Sequence, residues 1–63
     1  MIITSARGNH DNVVTYEHIC DTPEDMKKIN PECITLGSVA IVLRSDDGVV
    51  MYMAASDKEW IRL

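Results

Sequence analysis

Two strand-length runs, residues 39–43 (VAIVL) and 49–54 (VVMYMA), flank the turn Ser45-Asp46-Asp47-Gly48 and constrain this chain more than any other feature. A continuous apolar run bounded by turn formers reads as a buried strand, and a glycine closing an acidic turn supplies the positive φ of a tight return. Side chains alternate across a strand, so Val39, Ile41 and Leu43 share one face while Ala40 and Val42 share the other. The return strand repeats this, with Val49, Met51 and Met53 set against Val50, Tyr52 and Ala54. Both faces are therefore apolar, whereas an antiparallel sheet with one wet face normally alternates apolar and polar. After a second turn around Ser56-Asp57-Lys58, residues 59–63 (EWIRL) supply a third strand. The spacing predicts an antiparallel β-meander over residues 36–63.

The rest of the chain supplies little to cover two apolar faces. Residues 1–20 read as an N-terminal strand region, with a short β-prone start at residues 2–5. Residues 7–12 (RGNHDN) form a polar cluster of turn formers that predicts a loop. Residues 13–20 (VVTYEHIC) are β-branched and aromatic and predict a strand, with Val13, Thr15, Glu17 and Ile19 on one face and Val14, Tyr16, His18 and Cys20 on the other. Residues 21–30 carry helix-start signals: Asp21 or Thr22 at the cap, Pro23 in the first turn, and Glu24 and Asp25 where the dipole favours them. Asn30-Pro31 stops the helix after about two turns, and Met26 and Ile29 fall on one side to anchor it.

One such helix and one strand cannot cover the meander. With 63 residues, the chain buries only about 60% of the surface it exposes when unfolded. Domains of this size usually rely on a disulfide, a metal or oligomerisation as well as their core. The sequence predicts a single small, mainly β (small α+β) domain completed by association with copies of itself. Val39, Ile41, Val42, Met51, Tyr52, Trp60 and Leu63 are the residues expected at the contact.

The other two supports are weaker. Cys20 and Cys33 lie thirteen positions apart, and a disulfide there would contribute about 3 kcal/mol by loop closure. A chain without a signal-peptide-like start is expected to be made in a reducing cytoplasm, where both thiols stay reduced. His10, His18, Cys20 and Cys33 include no CxxC or HxxxH spacing, so no metal or other cofactor is expected.

Function classes narrow in the same way. The net charge of -4 and the absence of a basic run argue against nucleic-acid binding. No segment approaches the roughly 18 apolar residues of a membrane span. Cys and His without flanking motifs, and Asp46-Asp47 inside a hairpin turn, make no catalytic constellation, and no phosphate or dinucleotide loop occurs. The chain is expected to act by contact and not by catalysis. Tyr52 and Trp60, eight apart on neighbouring strands, either seal a small core and its subunit seam or form a sugar-stacking platform, and burial is the commoner outcome.

The order Leu36-Gly37-Ser38-Val39-Ala40-Ile41-Val42, the turn Ser45-Asp46-Asp47-Gly48, Val50-Met51-Tyr52-Met53 and Lys58-Glu59-Trp60-Ile61-Arg62-Leu63 resembles a β-meander of small bacteriophage proteins encoded among head and tail genes. The module is similar to one found in fibre-like and head-fibre proteins, and Asp21-Thr22-Pro23-Glu24-Asp25 fits the acidic stretch that precedes it. The likeness covers roughly residues 21–63 and is a pattern of residue types. It implies a virion structural or decoration protein, trimeric or otherwise oligomeric, contacting capsid or tail proteins, and it supplies no catalytic residues. The alternatives are a carbohydrate-binding module using Tyr52 and Trp60, or an acidic inhibitor of a host protein.

Overall fold

The computed structural model describes residues 1–63 and forms one five-stranded sheet. The strands are β1 (Ile2–His10), β2 (Val13–Cys20), β3 (Val39–Ser45), β4 (Gly48–Ala54) and β5 (Trp60–Arg62), and they lie side by side in chain order. β3, β4 and β5 make the expected antiparallel meander. Gly48 closes the β3–β4 turn at φ 78°. The N-terminal hairpin does not stand apart, because β2 pairs with β3 in parallel, from Glu17 opposite Val39 to Cys20 opposite Val42. The result is a mixed sheet.

Two sequence expectations need correction. Residues 7–10 belong to β1 and are not a loop: the hairpin turns on Asp11 and Asn12 alone, at φ 50° and 67°. Both central residues of such a two-residue return need φ above zero, which aspartate and asparagine tolerate. Arg7, Asn9 and His10 are polar because β1 is an edge strand, and Arg7 sits in a bulge between the pairs Ala6–Tyr16 and Gly8–Thr15. The second correction concerns the helix. It is a 3-10 helix over Pro23–Lys28, followed by a 3-10 turn at Pro31–Cys33. Its bonds run from Asp25 N–H to the Thr22 carbonyl and from Ile29 N–H to the Met26 carbonyl, three residues back. Hemmed in between Pro23 and Pro31, the segment has room for little more than one α-helical turn of i to i−4 bonds, and the tighter helix reaches its packing site sooner.

This crossover covers one face of the sheet only. There Cys20, Ala40, Val42 and Ala54 meet Ile29 and Ile34 in a closed cluster, with Ile2, Met26, Tyr52 and Trp60 packed around it. The expected anchoring role of Met26 and Ile29 is what the structure shows. Because β3 starts only opposite Glu17, the upper part of β2 lacks a strand on the edge away from β1, and side chains take its place. Ser38 Oγ accepts the Tyr16 N–H at 3.0 Å, and Thr35 Oγ1 donates to the Val14 carbonyl. The Ser38 and Thr35 hydroxyls are themselves 2.8 Å apart, and Ser38 is fully buried. Two hydroxyls thus satisfy the strand's backbone where the ladder stops.

Candidate functional site

The opposite face of the sheet is uncovered. Register sets Ile3 opposite Ile19, Ile19 opposite Ile41 and Ile41 opposite Met51, and the Leu63 N–H bonds the Met51 carbonyl at 2.9 Å. Five apolar residues therefore form a single row across β1 to β4, ending on Leu63 just after β5. The next row runs Ser5, Glu17, Val39, Met53 and Ile61, and Leu43 and Val49 lie beyond the other side. Leu43, Met51, Met53 and Ile61 are each 40–49% exposed, and Ile3, Val49 and Leu63 more so. A hollow of about 190 Å³ lies among Ile3, Ile19 and Leu43. Five strands at roughly 4.8 Å spacing, each contributing about five residues of roughly 3.3 Å, give a face on the order of 400 Å² in projection. That is within the roughly 300–600 Å² spanned by the largest exposed patch of a typical monomer, a patch that is often functional.

The residues expected at the contact divide between the two faces. Val39 lies on the open side but is only 4% exposed, closed over by its neighbours, whereas Ile41, Met51 and Leu63 belong to the open face. Val42 does not: it is 1% exposed and sits in the closed cluster, beneath the crossover. Tyr52 and Trp60 also face inward, half-buried against that cluster. They are diagonal neighbours, since Tyr52 pairs with Arg62 and Trp60 with Ala54. The Trp60 ring meets the His18 ring edge-on at 6.0 Å between centroids. Each aromatic side chain is thus committed on its inner side to the protein. Ile3 and Ile19 are the members of the row that sequence reasoning missed. Their alternation was visible, but not the parallel pairing that brings them beside Ile41.

The closed side of the sheet brings His18 and Cys20 together with Asp25 and Cys33 of the crossover. His18 is fully buried, with Nδ1 2.8 Å from Thr4 Oγ1 and Nε2 2.7 Å from the Cys33 carbonyl. A carbonyl only accepts, so Nε2 carries a hydrogen, and in the neutral ring Nδ1 accepts from Thr4. Both nitrogens are occupied, and the side chain is fully enclosed by the protein. Cys20 and Cys33 are free thiols, and burial, with the Asp25 carboxylate adding to it, pushes the Cys20 thiol above its usual range. No three His, Cys, Asp or Glu side chains gather where they could hold a metal ion.

Asp25 is the one buried carboxylate. Its Oδ2 accepts from the Met1 ammonium at 2.9 Å and from the Asp21 and Thr22 N–H groups at 3.1 and 3.2 Å. The ammonium bond first, and the Thr22 bond next, hold its pKa below the ordinary carboxylate value against the opposing pull of burial. It ties the start of β1 to the crossover.

Fold and site together define a small mixed-β protein with one face closed by its own chain and one apolar face left open. Comparison of the chain with protein-family models, with curated proteins and with solved structures found no match to any of them.

Proposed function

We propose that this protein is a small self-associating structural subunit that meets copies of itself through the open sheet face. The setting is the one the phage-module resemblance implies, a virion component attached to capsid or tail proteins. The observation that carries the reading is the row Ile3, Ile19, Ile41, Met51 and Leu63, which is apolar from one sheet edge to the other. Sheets that pack face to face sit about 10 Å apart and interdigitate such rows. A second copy offers a surface of matching width and chemistry. Three copies around a shared axis is the arrangement the resemblance favours.

Magnitude sets the expected strength. The face is on the order of 400 Å² in projection, below the roughly 800 Å² per partner of a standard interface, so association is concentration-dependent. Light scattering behind a sizing column is expected to give a discrete multiple of the 7.1 kDa chain mass. Met51, at the middle of the row and 42% exposed, is the residue to change. Met51→Lys should reduce the mass to that of one chain while leaving the circular dichroism of the sheet intact. A wild-type chain that remains monomeric at about 100 μM overturns the reading, because surfaces of this size associate weakly but measurably.

A further inference from the structure

Beyond the apolar rows, the protruding end of the β1–β2 hairpin forms a cleft of about 530 Å³, lined by Arg7, Gly8, His10, Asp11, Thr15, Met53 and their neighbours. This is within the roughly 300–1,000 Å³ of small-molecule sites. Its lining mixes charged and polar groups, Arg7, His10, Asp11 and Thr15, with the apolar Val13, Leu36 and Met53.

The bulge at Arg7 builds it. An unpaired residue in an edge strand re-aims the side chains around it, and here Arg7 and Gly8 both line the cleft. The Arg7 guanidinium forms an ion pair with Glu17 at 3.8 Å, longer than a hydrogen bond, so its N–H donors are paired in charge but not hydrogen-bonded.

Gly8 is the second observation. A glycine inside a strand costs stability and needs a reason. Gly37, also in the lining, has one, since its φ is 88°. Gly8 has no positive φ, and a Cβ there would meet only Thr15 Oγ1 at 3.7 Å and His10 Nε2 at 3.8 Å, both ordinary contacts. Neither backbone conformation nor the protein's own packing requires glycine at this position. A side chain at residue 8 would instead project between two lining residues and fill the cleft. The adjoining bulge is one reason for a bare strand position, and the missing side chain also leaves room for the close approach of a ligand.

Charge selects the class of ligand. A guanidinium matches one carboxylate in a two-bond fork, and a ligand carboxylate would take the hydrogen bonds that the 3.8 Å contact with Glu17 does not make. Glu17 and Asp11 nearby would repel a dianion such as a phosphate monoester, and Val13, Leu36 and Met53 offer an apolar wall. We propose that this cleft binds small monoanionic carboxylates with an apolar body, Arg7 pairing with the carboxylate and Gly8 forming the floor. The proposal stands on the cleft, which shares Met53 with the open face, so a second copy seated there would compete with the ligand.

The test is an amide NMR titration of the full chain with phenylbutyrate, and with its uncharged amide as control. Saturable shifts at Gly8, His10, Thr15 and Gly37 are expected with the acid only. Gly8→Val should keep the sheet and its thermal midpoint yet weaken binding at least about tenfold, and Arg7→Gln should do the same, tenfold being about 1.4 kcal/mol. Equal affinity of Gly8→Val and wild type would overturn the proposal. So would shifts confined to Ile3, Ile19, Ile41 and Met51, which would mean the probe merely adheres to the open face. Absence of saturable shifts up to about 10 mM would also overturn it, that limit corresponding to less than about 3 kcal/mol of binding.

Discussion

At the scale of single residues, Asp25 carries a pH dependence whose sign can be worked out. Its carboxylate accepts three hydrogen bonds, one from the Met1 ammonium, and its pKa in the folded chain lies below the ordinary value. A group whose folded pKa is depressed stabilises the fold above the unfolded pKa, about 3.9 for aspartate, and loses that contribution as pH falls through the folded value. Thermal midpoints measured across acid pH should therefore fall below about pH 4. Asp25→Asn should start lower at neutral pH and show a shallower acid limb. Equal acid limbs in the two proteins would assign the loss to other carboxylates. The sequence marked Asp25 as a first-turn acid favoured by the helix dipole, which placed it correctly in the chain. Its main partner, an ammonium 24 positions earlier, is a tertiary contact that no local signal encodes.

At the scale of elements, the join between the hairpin and the meander depends on Ser38. Its hydroxyl accepts the Tyr16 and Thr35 N–H groups at 3.0 and 3.3 Å in a fully buried position. Ser38→Ala strands those donors, and an unmet buried donor costs about 1–3 kcal/mol. A chain of 63 residues holds only about 3–9 kcal/mol in total. A loss of about 2–3 kcal/mol should lower the thermal midpoint by about 10–20 °C, as calorimetry would read. The sequence showed Gly37-Ser38 as a lead into β3, because turn chemistry is local. It did not show β2 lying parallel to β3, since that pairing is made across an 18-residue connection. The meander was legible for the opposite reason: its strands are consecutive and its turns carry their own residues, Gly48 above all. Residues 7–10 were misjudged because polar composition marks both loops and solvent-facing edge strands, and only the two-residue turn at Asp11-Asn12 separates the cases.

At the scale of the whole molecule, the proposed assembly would be coupled to folding. Eleven of 63 residues are buried, and the closed cluster contains six of them, so the single chain has a thin core. Anything that binds the folded chain but not the unfolded one raises its stability by mass action, and a second copy acts as such a ligand. The midpoint of wild-type unfolding should accordingly rise with protein concentration, by about 1.4 kcal/mol of stability for a tenfold increase in partner well above the dissociation constant. Met51→Lys should remove that dependence and leave a constant, lower midpoint. Val42→Asp must behave differently, because it places a charge in the closed cluster and should abolish folding at every concentration. Denaturant curves for the three proteins over a hundredfold concentration range, about two decades of mass action, separate the two faces. A flat wild-type series would show that the open face contributes nothing to stability, whereas a rising series that Met51→Lys flattens assigns the effect to the row from Ile3 to Leu63.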